Sequence, residues 1–177
     1  MLLQAADSTL LIVDMQERLM PAIAQGAQLA ETACKLAQGA RLLGVPVVAT
    51  EQNRAGLGPT IAPLRDSVQA VFQKRHFSAV REPGFEAWLP PARHTVLVAG
   101  WEAHVCVLQT LVGLRELNYH AVLVSDAVGS RRPSDQHAGM RRMRAEGATV
   151  ITAEMALFEW METCDHPRFR DVLRLVK

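Results

Sequence analysis

The chain has no unbroken apolar run long enough to cross a bilayer, no CxxC pair, no internal repeat and no low-complexity tract among its 177 residues. A spanning helix needs about 20 consecutive apolar residues, so no membrane segment is expected. Cys34, Cys106 and Cys164 are the only cysteines. An odd number without CxxC spacing argues against both a disulfide framework and a zinc ribbon, and a reducing cytoplasm is the expected compartment. Net charge is only +1, and the arginines of "RRMRAEG" are interleaved with acidic and apolar residues. That pattern offers no stripe for tracking phosphates, so a small-molecule substrate is expected and a nucleic-acid partner is not. The opening "MLLQAADSTLLIVD" lacks the basic segment and small-residue cleavage site of a secretory leader, and reads as the start of the fold.

What is present is a globular composition, 49% hydrophobic and 21% charged, with one domain expected over residues 1–177. Six short apolar runs, "TLLIVDM", "VPVVATE", "AVFQK", "HTVLVAG", "HAVLVSDA" and "ATVITA", alternate with longer segments of helical period. Each run is apolar on both alternating faces, as in strands covered by helices on two sides. Between the first two, Leu29, Ala33, Leu36, Ala40 and Leu43 recur at helical spacing, and Gly44 with Pro46 ends the pattern. "VCVLQTLVGLRELN" and "SDQHAGMRRMRAEG" repeat the scheme, and the tail predicts one or two amphipathic helices divided near "CDHP". These features predict an α/β fold, a three-layer α/β/α sandwich around a six-stranded, mainly parallel, Rossmann-like sheet.

In open parallel sheets, ligands bind beyond the carboxyl ends of the strands. That edge should hold Asp14 and Gln16 after the first strand, Glu51 and Gln52 after the second, and Lys74 after the third. "WEAHVC" follows the fourth strand and Asp126 the fifth. Cys106 lies where a helix should begin, a position whose dipole and unpaired N–H groups favour thiolate. Lys74 could supply a further positive charge, and Asp14 could accept and return a proton. Taken singly, each has a simpler reading: a lone cysteine is usually apolar filler, an aspartate after a strand usually a turn or cap, and a lysine usually solvated. Their shared edge is what sets them apart. His104 is two residues from the cysteine, and residues at that spacing point in different directions, which weakens it as a base. Glu102 reads first as a capping group, and Trp101 equally as core or as a substrate platform.

With "LLIVDMQ", "FQKRHFSA" and "VAGWEAHVCVLQT", the chain resembles the isochorismatase-like cysteine hydrolases over nearly its whole length. The resemblance implies a catalytic triad of Asp14, Lys74 and Cys106. It also implies an oxyanion hole from the backbone N–H groups of Glu102 and Cys106, with a cis peptide at Trp101-Glu102. The implied activity is hydrolysis of a small amide or related C–N bond through a thioester on Cys106, in a pocket lined by Gln16, Gln52, Phe77 and Trp101. Metal-binding relatives carry histidines after the second strand, whereas "TEQNRAGLGPT" has none, so neither a metal nor another cofactor is expected. Relatives acting on isochorismate typically lack the nucleophile, so Cys106 favours amide-type chemistry. Homo-oligomers are common in such proteins and one is expected here. Cys106 should alkylate faster near neutral pH than Cys34 or Cys164. The alternatives are a non-catalytic binding or regulatory protein that retains the fold, and a thiol redox sensor, the latter weakened by the lack of a resolving cysteine near Cys106 in sequence.

Overall fold

The alternation of β-branched runs with amphipathic segments becomes six strands: β1 Ser8–Val13, β2 Val47–Gln52, β3 Ala70–Lys74, β4 Thr95–Trp101, β5 His120–Gly129 and β6 Thr149–Ile151. The computed structural model describes residues 2–177. Helix α1 is Gly26–Leu42, and three single-turn helices follow, α2 Arg54–Leu57, α3 Ala62–Arg65 and α4 Phe85–Trp88. The remaining helices are α5 Leu108–Glu116, α6 Pro133–Ala145, α7 Ala153–Met161 and α8 Phe169–Val176. The short turns between β2 and β4 carry no apolar period for sequence reading to detect, since four residues barely complete one turn.

All six strands run parallel, in the order β3-β2-β1-β4-β5-β6, so the expected mainly parallel sheet is wholly parallel. The chain builds outward from β1 to β3 and then returns to lay β4 against the other side of β1. The order therefore reverses between β1 and β4, and the crevice at their carboxyl ends is the expected ligand position.

Successive residues of β1 feed opposite faces, as strand geometry requires. Leu10 and Ile12 join Ala33, Leu36 and Ala40 of α1 with Leu157 and Trp160 of α7 on one face. Leu11 and Val13 join Leu111 and Leu114 of α5 with Met143 of α6 on the other. Gly44, in the left-handed region at φ +74°, follows α1, and α6 starts on Pro133 at its first position. The tail forms α7 and α8, divided at the proline as expected.

One glycine matters directly to the site. Gly100 sits at φ +140°, where a Cβ would overlap the main-chain carbonyl of Val13, so only glycine lets β4 pass this close to the end of β1. The segment carrying Cys106 is thereby brought beside the residue that follows Val13, which is Asp14.

Candidate active site

Asp14 leaves β1 with its backbone in the left-handed region at φ +52°, and its N–H still donates to Thr50 O at 3.2 Å. Its carboxylate has two partners. Thr50 Oγ1 donates to Oδ1 at 2.7 Å, and Lys74 Nζ donates to Oδ2 at 2.7 Å. Lys74 ends β3, two strands from β1, and its side chain crosses the end of β2 to reach the aspartate. The other two ammonium protons go to the carbonyls of His76 at 3.2 Å and Phe77 at 3.1 Å. Both side chains of the pair are sealed from solvent. A buried ion pair persists only when its remaining hydrogen-bonding capacity is met, and here all three N–H groups of the ammonium are used. Sequence reading missed Thr50; its one signal is a hydroxyl inside an otherwise apolar run.

Cys106 lies in a π-helical turn, Ala103–Val107, that precedes α5, with Val107 N–H donating to Glu102 O at 3.2 Å. The residue is only 6% exposed, and its Sγ is 3.8 Å from Gln52 Oε1. Burial pushes the thiol pKa up to about 12; the Asp14 charge adds to this, the Lys74 charge opposes it, and Asp14 as a hydrogen-bond acceptor and the Glu102 charge raise it further. The expectation of a ready thiolate from the helix terminus is opposed by this arrangement, which favours the thiol. Burial and the adjacent carboxylate outweigh the help of the helix terminus, so the fold favours a thiol with the Asp14 carboxylate beside it.

The Trp101-Glu102 peptide is cis. The Glu102 side chain is not a helix cap; Arg131 Nε donates to its Oε1 at 2.6 Å, while Oε2 is buried without a hydrogen-bond partner, 3.5 Å from His104 Nδ1. The His104 ring nitrogen is instead 2.9 Å from Ser130 Oγ, consistent with its poor standing as a base for Cys106. Gly139 of α6 lets that helix pass against the His104 backbone, where a Cβ would come within 2.9 Å of its Cα.

The four expected pocket residues divide. Gln52 faces the thiol, and Phe77 is half-exposed, with its main-chain carbonyl accepting from Lys74. Gln16 and Trp101 expose no surface, which corrects their expected place in the lining. Gln16 donates to Gln52 O at 3.1 Å and Gly58 O at 2.6 Å and accepts from Gln52 N–H at 2.9 Å, so its amide clamps the chain that carries Gln52. Trp101 packs into the apolar core on the α1 side of the sheet. Glu51 and Asp126, at the same edge, serve the scaffold. Glu51 accepts from Thr60 N–H at 2.7 Å and Oγ1 at 2.9 Å, and Asp126 accepts from Ala153 N–H at 2.8 Å at the start of α7.

Among the described residues, no group of three His, Cys, Asp or Glu side chains is placed to hold a metal ion. No helix among them is long and apolar enough to cross a membrane.

Comparison with known proteins gives a family. The family model for the isochorismatase domain matches residues 8–155. Isochorismatase domain-containing protein 1 of Danio rerio is 35% identical over 99% of this chain and 62% of its own length. Isochorismatase domain-containing protein 2 of Homo sapiens is also 35% identical, over 96% of this chain and 83% of its own. The chain thus spans about three-fifths of the first relative and most of the second. A solved structure of MAR1 ribonuclease from Caenorhabditis elegans superposes with a TM-score of 0.94 at 33% identity, covering 99% of this chain and 92% of that one.

Proposed function

The chain belongs to the isochorismatase family, and within it we propose that it is a cysteine hydrolase of small amides or related C–N compounds, working without a metal. The observation that carries the reading is the buried Asp14–Lys74 pair set beside the Cys106 thiol.

In this reading Cys106 Sγ attacks the substrate carbonyl carbon as its proton passes to Asp14. The carbonyl electrons move onto oxygen, where the backbone N–H groups of Glu102 and Cys106 receive the charge. As the adduct collapses, the C–N bond breaks and Asp14 gives the proton to the leaving nitrogen. Water then attacks the thioester while Asp14 takes one of its protons. The C–S bond breaks, the acid departs, and the proton returns to sulfur. Lys74 balances the negative charge shared between Asp14 and Cys106 throughout. The thiol's high resting pKa suits this cycle, because the proton needed later by the leaving group is held until substrate is present. A site that exposes so little of its nucleophile favours a small substrate, and self-association is part of the proposal, to be measured by light scattering.

A second reading, a binding protein that retains the fold without turnover, is favoured by the same burial of Cys106. A panel of small amides and ureides, assayed for ammonia release, separates the two. The hydrolase reading expects release that falls at least about a thousandfold in Cys106→Ala. No release from any member, or release untouched by that substitution, would overturn it. An RNA belongs in the panel because the Caenorhabditis elegans neighbour is described as a ribonuclease; cleavage of RNA lost in Cys106→Ala, without amide hydrolysis, would replace the proposed substrate class.

A further inference from the structure

We propose that Glu82 is a positioning residue for Lys74, setting the charge felt by Cys106 without touching the reacting atoms. The inference rests on the hydrolase reading and adds to it a residue outside the Asp14, Lys74 and Cys106 set.

Lys74 is the last residue of β3, and two of its three ammonium protons are held by the carbonyls of His76 and Phe77. The position of the ammonium thus depends on the conformation of residues 75–77. Glu82 Oε2 gathers that segment, accepting from Arg75 N–H at 2.8 Å, from His76 N–H at 3.1 Å, and lying 2.9 Å from His76 Nδ1. With the N–H groups of Arg75 and His76 both directed at the carboxylate, the peptide groups on either side of Arg75 are fixed in orientation, and the next two carbonyls, of His76 and Phe77, accept from Lys74.

The far end of the segment is fixed separately. Ser78 Oγ donates to Gln109 O at 3.1 Å, and Ala79 N–H donates to Thr110 Oγ1 at 3.0 Å, both on α5, the helix that follows Cys106. The loop is therefore tied to the nucleophile's helix at one end and to Glu82 at the other. Main-chain hydrogen bonds hold the Glu82 carboxyl pKa down to about 2, so it is ionised over the range in which the enzyme would work. Other anchors near β3, such as Asn53 N–H to Lys74 O at 3.1 Å, hold the strand end and not the two carbonyls.

The test measures modification of each cysteine by iodoacetamide, residue by residue, from pH 7 to pH 10.5. Wild type, Glu82→Gln, Lys74→Ala and the double variant are compared, with thermal unfolding of each. Removing the cation should slow Cys106 and move its profile to higher pH. Glu82→Gln should move it the same way by about three- to tenfold in rate, and should add nothing in the Lys74→Ala background. Cys164 should be unaffected throughout. A wild-type profile in Glu82→Gln, or an equal slowing with and without Lys74, would overturn the proposal. If Lys74→Ala itself leaves Cys106 unchanged, the hydrolase reading fails first. Should Glu82→Gln not fold, His76→Ala carries the test; it removes one of the three contacts with Glu82, and a smaller slowing confined to proteins with Lys74 supports the proposal, whereas no change overturns it.

Discussion

The two sides of the crevice differ in how completely their polar groups are satisfied. On the β1–β2–β3 side, Asp14 is held by Thr50 and Lys74, and Lys74 by two carbonyls besides. On the β4–β5 side, Glu102 Oε2 and Trp101 Nε1 are buried without hydrogen-bond partners, and the guanidinium that pairs with Glu102 belongs to a largely exposed arginine. The first side is a closed electrostatic unit. The second leaves polar atoms unpaired at Trp101 and Glu102, the residues leading to Cys106. In the proposed hydrolase cycle the Asp14–Lys74 pair must keep its geometry, which its closed set of partners provides.

The comparison breaks most visibly if the closed side is opened. Lys74→Ala leaves Asp14 as a buried charge without its cation, and unfolding in urea should show a loss of about 3–5 kcal/mol. A loss below about 1 kcal/mol would mean the pair is less sealed than its geometry states. The next effect concerns the junction of the two sides. The ordinary thiol pKa is 9.0, and that of Cys106 in the fold is about 12. Between these values the unfolded chain has released the proton while the folded chain retains it, so the unfolded state binds fewer protons and stability falls as pH rises. Wild type should lose about 1.4 kcal/mol per pH unit across this window relative to Cys106→Ser. The difference between the two proteins cancels the contributions of Cys34 and Tyr119, which burial also raises. Parallel curves would show that the thiol is not held as described.

The smallest effect on stability is expected on the open side. Arg131 is 61% exposed, so Arg131→Gln should cost less than about 1 kcal/mol. Its effect on reactivity should be clearer, because the Glu102 charge raises the Cys106 pKa and loses its counter-ion in this variant. Slower iodoacetamide modification of Cys106, by a few-fold with the melting temperature nearly unchanged, is the expected result. An equal loss of stability from Arg131→Gln and Lys74→Ala would erase the distinction between the sides.

Much of the scaffold could be read from periodicity. The six strands, the long helix after β1, its stop at Gly44 and the division of the tail all follow from local apolar spacing and turn chemistry, which act over a few residues. The strand-end rule likewise selected Asp14, Lys74, Gln52 and the cysteine segment. It also selected Glu51 and Asp126, whose carboxylates are spent on loop and helix N–H groups. It could not separate Gln52, which faces the thiol, from Gln16, which clamps the chain behind it.

Sequence by itself determined the alternation of strands and helices, the absence of any run able to span a bilayer and the chemical types available at one edge of the sheet, because these depend on residue identity and near-neighbour spacing. Only the tertiary structure decided which groups meet and in which direction burial moves the thiol. Lys74 reaches Asp14 across an intervening strand, Thr50 completes the carboxylate's partners, and Glu82 accepts from the start of the loop whose carbonyls hold the ammonium. The direction expected for the thiol's pKa also reversed there. A helix terminus favours thiolate, but desolvation and a neighbouring carboxylate are through-space effects that outweigh it, and no local pattern in the chain encodes them.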